Sequence, residues 1–159
     1  MDYQIVTVPT RILTHHDNIC DAINEFGKGK FGPNDVICVA ESVVAITQNR
    51  AVRCEDFKPT LLAKFLCRLF PSKGSLSGWY SMQSLLDAEG NARVVSAVIV
   101  GGIAKIFGKP GVFYERAGEQ ARLIDDVTGT MPPYDKHIVY GPSEANKVAA
   151  AIKEATGAF

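Results

Sequence analysis

The longest nearly apolar run of the chain, residues 94–107, constrains the fold most strongly. It is broken only by Ser96, a glycine pair and Lys105, and a membrane-spanning helix needs a longer run of about 20 residues. The run therefore has to be covered by the protein itself. We predict a long β-strand from Ala92 to Phe107, with the glycine pair at a bend or bulge.

The composition predicts a globular protein with a single domain over residues 1–159. Hydrophobic residues make up 47% of the chain and charged residues 21%, which excludes disorder as the main state. The 17 basic and 17 acidic residues cancel, so the excess of positive charge typical of nucleic-acid binding is missing. The N-terminus has no signal-peptide pattern, and the four cysteines form no CxxC pair. We expect a cytoplasmic protein with reduced, buried cysteines and neither a nucleic-acid nor a membrane partner.

Hydrophobic patterning predicts alternating strands and helices in the first half of the chain. Thr14 and Asp17 resemble a capping box before a helix that ends at Gly27. The other predicted elements of this half are a strand over Tyr3–Val8, a buried strand over Val36–Ala40, a short helix over Glu41–Thr47, a strand over Ala51–Cys54 and a helix over Pro59–Phe70. The last helix is expected to bury Leu61, Leu62, Phe65, Leu66 and Leu69.

The second half predicts a further helix that ends near Ala88, followed by the long strand. A hairpin turn over Gly108–Gly111 then leads to a strand over Val112–Arg116 and an irregular stretch over Gly118–Pro133. The last elements are a strand over Lys136–Tyr140 and a helix that Ser143 caps and Gly157 ends. The predicted fold class is α/β, or mixed α+β, with a central mixed β-sheet flanked by helices.

The junction between the strand at Val36–Ala40 and the following helix is one candidate binding site. Ligands of α/β sheets favour the carboxyl ends of strands, and helix N-termini attract anions. Glu41 and Ser42 lie at this junction, and Arg50 is placed to clamp a phosphate or a carboxylate. The alternative is an ordinary capping serine and a surface arginine.

A polar segment, residues 125–137, is the second candidate. It contains three aspartates, two threonines, a tyrosine, a lysine and a histidine, and two prolines stiffen it. Adjacent carboxylates beside hydroxyl groups suit a hard cation or a polar substrate. We predict ligand contacts from Asp125, Asp126, Thr128 and Tyr134, with the two aspartates as metal ligands. The alternative is a proline-fixed surface loop with local Asx turns.

The two candidates predict one shared pocket. Glu41, Ser42 and Arg50 would form one wall, and the polar segment would form the other. In that pocket Arg50 holds an anion, the aspartates hold a cation, and Tyr134 orients or stacks on a ring.

Three stretches of the chain resemble the γ-glutamyl ligase family named for coenzyme F-420 (coenzyme F-420-0:L-glutamate ligase). The first is residues 35–50, which begin DVICVAESVVAI, and the second is residues 107–118, FGKPGVFYERAG. The third combines Ile124–Asp125 and Met131–Tyr134 with Gly141–Pro142 before the last helix. The likeness covers most of the chain in the same order and is nearest to a ligase-like branch apart from the established ligases.

This resemblance implies a mixed α/β fold that often forms intertwined homodimers. Established ligases use GTP with a divalent cation, Mg²⁺ or Mn²⁺, to activate a carboxyl group as an acyl phosphate, which the amine of glutamate then attacks. Carboxylates for the metal and cations for the phosphates serve such chemistry.

The sequence departs from the established ligases in three places. Their Ser-Lys-x-Glu-Gly-Arg-like segment is represented here by residues 45–50, in which only Arg50 is retained. The position that aligns with a metal-binding aspartate is Gln120, and Asp125 or Asp126 would have to substitute for it. The ligases also continue into a second half beyond the last helix here, so we expect either a fragment or a natural minimal protein.

We therefore predict a ligase-like domain that binds a small anionic or nucleotide-like ligand without full ligase activity, as a homodimer. One alternative is a nucleotide- and metal-dependent glutamate ligase. Others are a different small-molecule enzyme that uses the polar segment, and a dimeric structural or interaction protein. The sequence leaves open whether the chain catalyses a reaction.

Overall fold

The structure, a computed structural model, describes residues 4–126 and 132–158 and divides the chain into two compact units. The first unit joins the chain up to Asn49 with the chain from Pro142 onward, and the second unit is Arg50–Gly141. Among the helices that the structure describes, none combines the length and apolar character required to cross a bilayer.

The described residues of the first unit form three helices: α1 (Ile19–Gly27), α2 (Glu41–Thr47) and α8 (Ala145–Thr156). The side-chain oxygen of Asn18 caps α1 by accepting hydrogen bonds from the backbone N–H groups of Cys20 and Asp21. Helices α1 and α8 pack on each other, and Asn24 donates a hydrogen bond to the carbonyl of Ala155. Gly157 ends α8 in the left-handed conformation that glycine tolerates, with φ of 71°.

The second unit contains the remaining elements. In chain order they are β1 (Ala51–Arg53), α3 (Leu61–Leu66), α4 (Trp79–Glu89), α5 (Asn91–Ile106), α6 (Val112–Arg116), α7 (Gln120–Leu123) and β2 (His137–Val139). Short 3₁₀ turns at Cys54–Asp56, Cys67–Leu69 and Ser75–Ser77 connect them. Strands β1 and β2 pair antiparallel, with Ala51 opposite Val139 and Arg53 opposite His137. Gly90, with φ of 86°, allows α5 to begin directly after α4.

A continuous apolar core lies in the second unit. Its fully buried members include Met82 and Leu85 of α4, Val94 of α5 and Ile138 of β2. The ring of Phe113 on α6 packs edge-on against Phe70, with 4.7 Å between ring centroids. Helix α4 thus sits at the centre of this core, in contact with α3, α5, α7 and β2.

The long predicted strand is wrong, because residues 91–106 form helix α5. Its inward face is Val94, Ala97, Val98 and Gly101, which follow helical spacing. A Cβ on Gly101 would lie 2.8 Å from Cβ of Phe113, so this glycine lets α5 and α6 approach closely. The predicted hairpin and strand after residue 107 are also wrong, since α6 follows instead.

The described residues combine helices with one two-stranded sheet and do not show the predicted central mixed sheet. No strand is assigned to residues 4–8 or 36–40, and both Val36 and Cys38 are exposed rather than buried. The buried face predicted for α3 is wrong at Leu61, Phe65 and Leu69. Their exposed fractions are 84%, 61% and 58%.

Several boundaries also differ. The capping box is only half formed: Asp17 accepts a hydrogen bond from the N–H of Thr14, but α1 begins two residues after Asp17. Helix α7 interrupts the stretch predicted to be irregular. Helix α8 has Glu144, not Ser143, at its N-cap position. The predicted helices at 41–47 and 143–156, the helix that ends near residue 88, and the two short strands agree with the structure within a few residues.

Candidate functional site

Strand β2 is flanked on both sides in the second unit. On one side Val139 faces Ala51 of β1, and the N–H of Tyr140 donates to the carbonyl of Arg50 over 3.1 Å. On the other side Val139 and Asp125 exchange two backbone hydrogen bonds, at 2.8 and 3.0 Å. The backbones at Arg50 and Asp125 are therefore separated by one strand, or about 10 Å.

Gly141 is clamped by two residues to which the family resemblance gives chemical roles. The Nε atom of Arg50 donates to the Gly141 carbonyl over 2.6 Å. The Gly141 N–H donates to Oε1 of Gln120 over 2.9 Å. A Cβ on Gly141 would lie 2.4 Å from Cβ of Leu123, so only glycine fits here. Arg50 and Gln120 thus have a structural function in this chain, which we call the Gly141 clamp.

Tyr140 extends the clamp toward α4. The Arg50 guanidinium carbon lies 5.7 Å from the centre of its ring, within the range of a cation–π contact. Burial raises the pKa of the Tyr140 hydroxyl, and the negative charge of Asp87 adds to this rise. Arg50 and a hydrogen bond with Ser84 oppose it. The phenol therefore stays neutral at physiological pH.

Asp126 lies against the start of α4. A Cβ on Gly78, the N-cap residue of α4, would be 2.8 Å from Oδ2 of Asp126. A carboxylate is favourable there, because a helix N-terminus carries partial positive charge and this one has no side-chain cap. Burial raises the pKa of the nearby Cys54 thiol, and the charge of Asp126 adds to the effect.

Tyr134 and His137 form a pair in the polar segment. Their ring centroids are 5.3 Å apart in an edge-to-face arrangement, and the His137 N–H donates to the Tyr134 carbonyl over 2.9 Å. The Nδ1 atom of His137 is buried and has no hydrogen-bond partner among the described residues. The sequence analysis did not select His137, although its position within the polar segment was the available signal.

The predicted site residues are divided between the two units. Glu41 and Ser42 open α2 in the first unit, where the N-cap position is Ala40 and Glu41 is exposed. Thr128 lies outside the described residues. Arg50, Asp125, Asp126 and Tyr134 all belong to the second unit.

A cleft of about 450 Å³ opens in the second unit near the polar segment. Its size falls within the range of small-molecule sites. Leu76, Ala121 and Ile124 are its buried lining residues. Its exposed lining includes one aromatic ring, one carboxylate and one guanidinium: Tyr114, Glu115 and Arg122. Ser75 and Gly111 complete the lining.

Sequence analysis missed this cleft, because its residues come from three separate helices and turns. The available signal was the family resemblance: its second stretch contains Gly111, Tyr114 and Glu115, and its third contains Ile124. Ile124, which lines the cleft, directly precedes the two aspartates. The cleft therefore adjoins the predicted acidic pair along the chain.

The described residues do not assemble a metal site. In residues 4–126 and 132–158, no group of three or more histidine, cysteine, aspartate or glutamate side chains is placed to hold an ion. Asp125 and Asp126 are adjacent in sequence, but the Asp126 carboxylate lies against Gly78. These residues do not by themselves fit the divalent cation that the resemblance implies.

A cleft of this size with a mixed apolar and polar lining is typical of a small-molecule site. Comparison with family models identifies F420-0:Gamma-glutamyl ligase over residues 7–157. The chain belongs to this family, as the sequence resemblance predicted. No curated protein and no solved structure gave a significant match.

Proposed function

We propose that this chain is a binding domain of the F420-0:gamma-glutamyl ligase family. In this proposal a small anionic or nucleotide-like ligand occupies the cleft in the second unit, and the chain does not complete the ligase reaction. The observation that carries the proposal is the cleft itself, whose lining includes Arg122, Tyr114 and Glu115.

The chemistry of the lining supports an anionic ligand. Arg122 carries a planar guanidinium that pairs with a carboxylate or a phosphate through two parallel hydrogen bonds. Tyr114 is 38% exposed and presents a ring face on which a base or another planar group can pack. Glu115 accepts hydrogen bonds from an amine or a ribose hydroxyl. The buried side chains of Leu76 and Ile124 would shield these contacts from water.

The Gly141 clamp supports binding without ligation. Gln120 stands where the resemblance places a metal-binding aspartate, and its amide oxygen is engaged with the Gly141 N–H. Arg50 is the one residue retained from the ligase segment, and its Nε is engaged with the Gly141 carbonyl. The Gln120 amide oxygen is therefore already engaged, and only the terminal N–H groups of Arg50 are left for an anion.

The runner-up is a complete glutamate ligase that uses GTP with Mg²⁺ or Mn²⁺. Family membership favours it. Under this alternative Asp125 and Asp126 are the residues of this chain available to contribute ligands to the cation. The predicted site of Glu41, Ser42, Arg50, Asp125, Asp126, Thr128 and Tyr134 would then be the one engaged. A homodimer and a cytoplasmic location are further expectations under either function.

Thermal denaturation with defined probes tests the proposal. L-glutamate, GDP and GTP are each added with and without Mg²⁺ or Mn²⁺, and the melting temperature is followed, because a ligand of the native state raises it. We expect a shift with at least one anionic probe. Arg122→Gln should weaken the binding of that probe by about tenfold or more, since a charge-assisted pair is lost.

Arg116→Gln is the matched control. Arg116 is exposed on α6 and directly follows the cleft residue Glu115, but it does not line the cleft. The affinity of this variant for the same probe should equal that of the wild type. No shift with any probe, or equal loss in both variants, would overturn the cleft assignment. Mass spectrometry of a mixture of the protein with glutamate, GTP and Mg²⁺ would overturn the non-catalytic part if a γ-linked glutamyl-glutamate, GDP and phosphate accumulate together and Asp125→Asn abolishes them.

A further inference from the structure

The charged side chains in the stretch from Phe57 to Leu86 are all of one sign. It contains four basic residues, Lys58, Lys64, Arg68 and Lys73, and no acidic residue. The chain as a whole has equal numbers of both signs. Arg68 and Lys73 are exposed, as is Lys58. The stretch therefore contributes only cations to the surface, and the Asp126 carboxylate from outside the stretch lies against Gly78, next to Trp79.

The same region exposes large apolar side chains. Leu61, Phe65 and Leu69 follow each other at four-residue spacing, which places them along one side of α3 and its 3₁₀ extension. Trp79 and Tyr80 at the start of α4 are 49% and 38% exposed. Helices α3 and α4 pack together, and Nζ of Lys64 lies 5.3 Å from the centre of the Trp79 ring. We call these five apolar residues with the four cations the α3 face.

We propose that the α3 face docks peripherally on an anionic lipid surface. Leucine and phenylalanine would enter the boundary between headgroups and acyl chains, as in interfacial amphipathic helices. Tryptophan and tyrosine favour the headgroup level, where their rings are apolar and their polar atoms stay hydrated. The four cations would pair with anionic headgroups. Such contact differs from the spanning helix that the sequence excludes, and it revises the expectation of no membrane partner.

Charge argues against a second copy of this chain on the same face. A two-fold interface buries the same patch of both copies, so it would enclose the four cations of each copy with no acidic residue of the stretch to pair with them. Repulsion between these like charges opposes association, particularly at low salt. An anionic lipid surface offers apolar contact to the exposed leucine and phenylalanine side chains and opposite charge to the cations.

Vesicle binding with tryptophan fluorescence tests this proposal. Trp79 is the one tryptophan in the chain, so its emission reports the α3 face directly. Vesicles of phosphatidylcholine, with or without about one-third phosphatidylserine, are titrated into the protein. We expect a blue shift and cosedimentation only with the anionic vesicles, and both should weaken as salt rises from about 0.1 M to about 0.5 M.

Two variants and two matched controls sharpen the result. Lys64→Gln with Arg68→Gln should weaken binding by about 25-fold, at about fivefold per cation. Phe65→Ser should weaken it by about tenfold, because one large apolar side chain no longer inserts. Val36→Ser, at a site 70% exposed in the first unit, and Lys28→Gln with Lys30→Gln, which have Glu25 and Asp35 nearby in sequence, should bind as the wild type does.

Three results would overturn the proposal. The first is no binding to anionic vesicles by correctly folded protein, and the second is equal binding to neutral vesicles. The third is a wild-type dimer in light scattering that Phe65→Ser converts to monomer while vesicle binding is absent. That result would assign the face to a second copy instead.

Discussion

Different kinds of interaction stabilise the interior of each of the two compact units. In the second unit a continuous core runs through α3, α4, α5, α6 and β2, with Met82, Leu85 and Ile138 fully buried. In the first unit the buried apolar residues are fewer, and none belongs to that core. They are Leu13, Ala22, Val44, Ala45, Ile46 and Ala158. The first unit relies more on polar contacts, such as the Asn18 cap and the paired hydrogen bonds between Gln48 and Ser143.

This difference explains where the candidate site lies. A binding site needs a support that holds its side chains in one geometry. The cleft, the Gly141 clamp and the Tyr134–His137 pair are all in the unit with the continuous core. The comparison also predicts that equivalent perturbations have unequal costs in the two units.

Truncation of a buried leucine should show the largest difference. Leu85→Ala removes a fully buried side chain from the central helix and should lower the free energy of unfolding by about 3 kcal/mol. Leu13→Ala removes an 8% exposed side chain from the first unit and should cost about 1 kcal/mol. Urea denaturation measures both, with Leu61→Ala, which is 84% exposed, as the control expected near zero. Equal losses for Leu85 and Leu13 would contradict the comparison.

Removal of a hydrogen bond from the Gly141 clamp should show a smaller difference in the free energy of unfolding between the two units. Gln120→Ala leaves the Gly141 N–H buried without its acceptor, which should cost about 1–2 kcal/mol. Gln120→Glu keeps an acceptor oxygen and should cost less. Gln48→Ala removes two hydrogen bonds to Ser143 in the first unit, but these are exposed, so water replaces them at a cost of about 0.5 kcal/mol or less.

Hydrogen exchange at Gly141 provides an independent measurement. The Gly141 amide should exchange faster in Gln120→Ala and remain protected in Gln120→Glu. If exchange and stability are both unchanged in Gln120→Ala, Gln120 does not hold Gly141, and its availability as a ligand group has to be reconsidered.

The sequence predicted local features better than long-range ones. The helix at α2, the two short strands and the ending of α8 at Gly157 depend on neighbouring residues and were correct within a few positions. Helix α5 was predicted as a strand, because its many valines and isoleucines fit both structures. Its 16 residues exceed the usual length of a strand, and this was the signal that favoured a helix.

The candidate site shows the same limit. The polar segment was selected from adjacent residues, and the structure places Asp125 beside β2 and Tyr134 against His137. The clamp joins residues 91 positions apart in sequence, and no local pattern indicates such a contact. The exposed stripe of α3 was taken as buried because helical spacing identifies an apolar face but not what covers it.

The smallest expected effect is a change in how protein stability depends on pH. It falls on the acid side for the first unit and on the alkaline side for the second. In the first unit Asp17 accepts hydrogen bonds from the Arg11 guanidinium at 2.5 and 3.0 Å and from the Thr14 N–H at 2.7 Å. The hydrogen bonds from Arg11, and then that from the Thr14 N–H, hold the pKa of Asp17 well below its usual value. A lowered folded-state pKa stabilises the protein above the unfolded pKa of about 4, and this contribution is lost as the pH falls further. Urea midpoints measured across the acid range should therefore decline less steeply below about pH 4 in Asp17→Asn than in the wild type.

Tyr140→Phe is the matched control from the second unit. Burial raises the pKa of Tyr140, so its neutral form stabilises the protein below the unfolded pKa of about 10, and stability falls as the pH rises above that value. The phenylalanine variant should lose part of this alkaline decline and keep the acid decline of the wild type. If Asp17→Asn leaves the acid decline unchanged, the pairing with Arg11 does not contribute to the stability of the first unit. The stabilising polar contacts of that unit would then be its caps, the Asn24–Ala155 hydrogen bond and the Gln48–Ser143 pair.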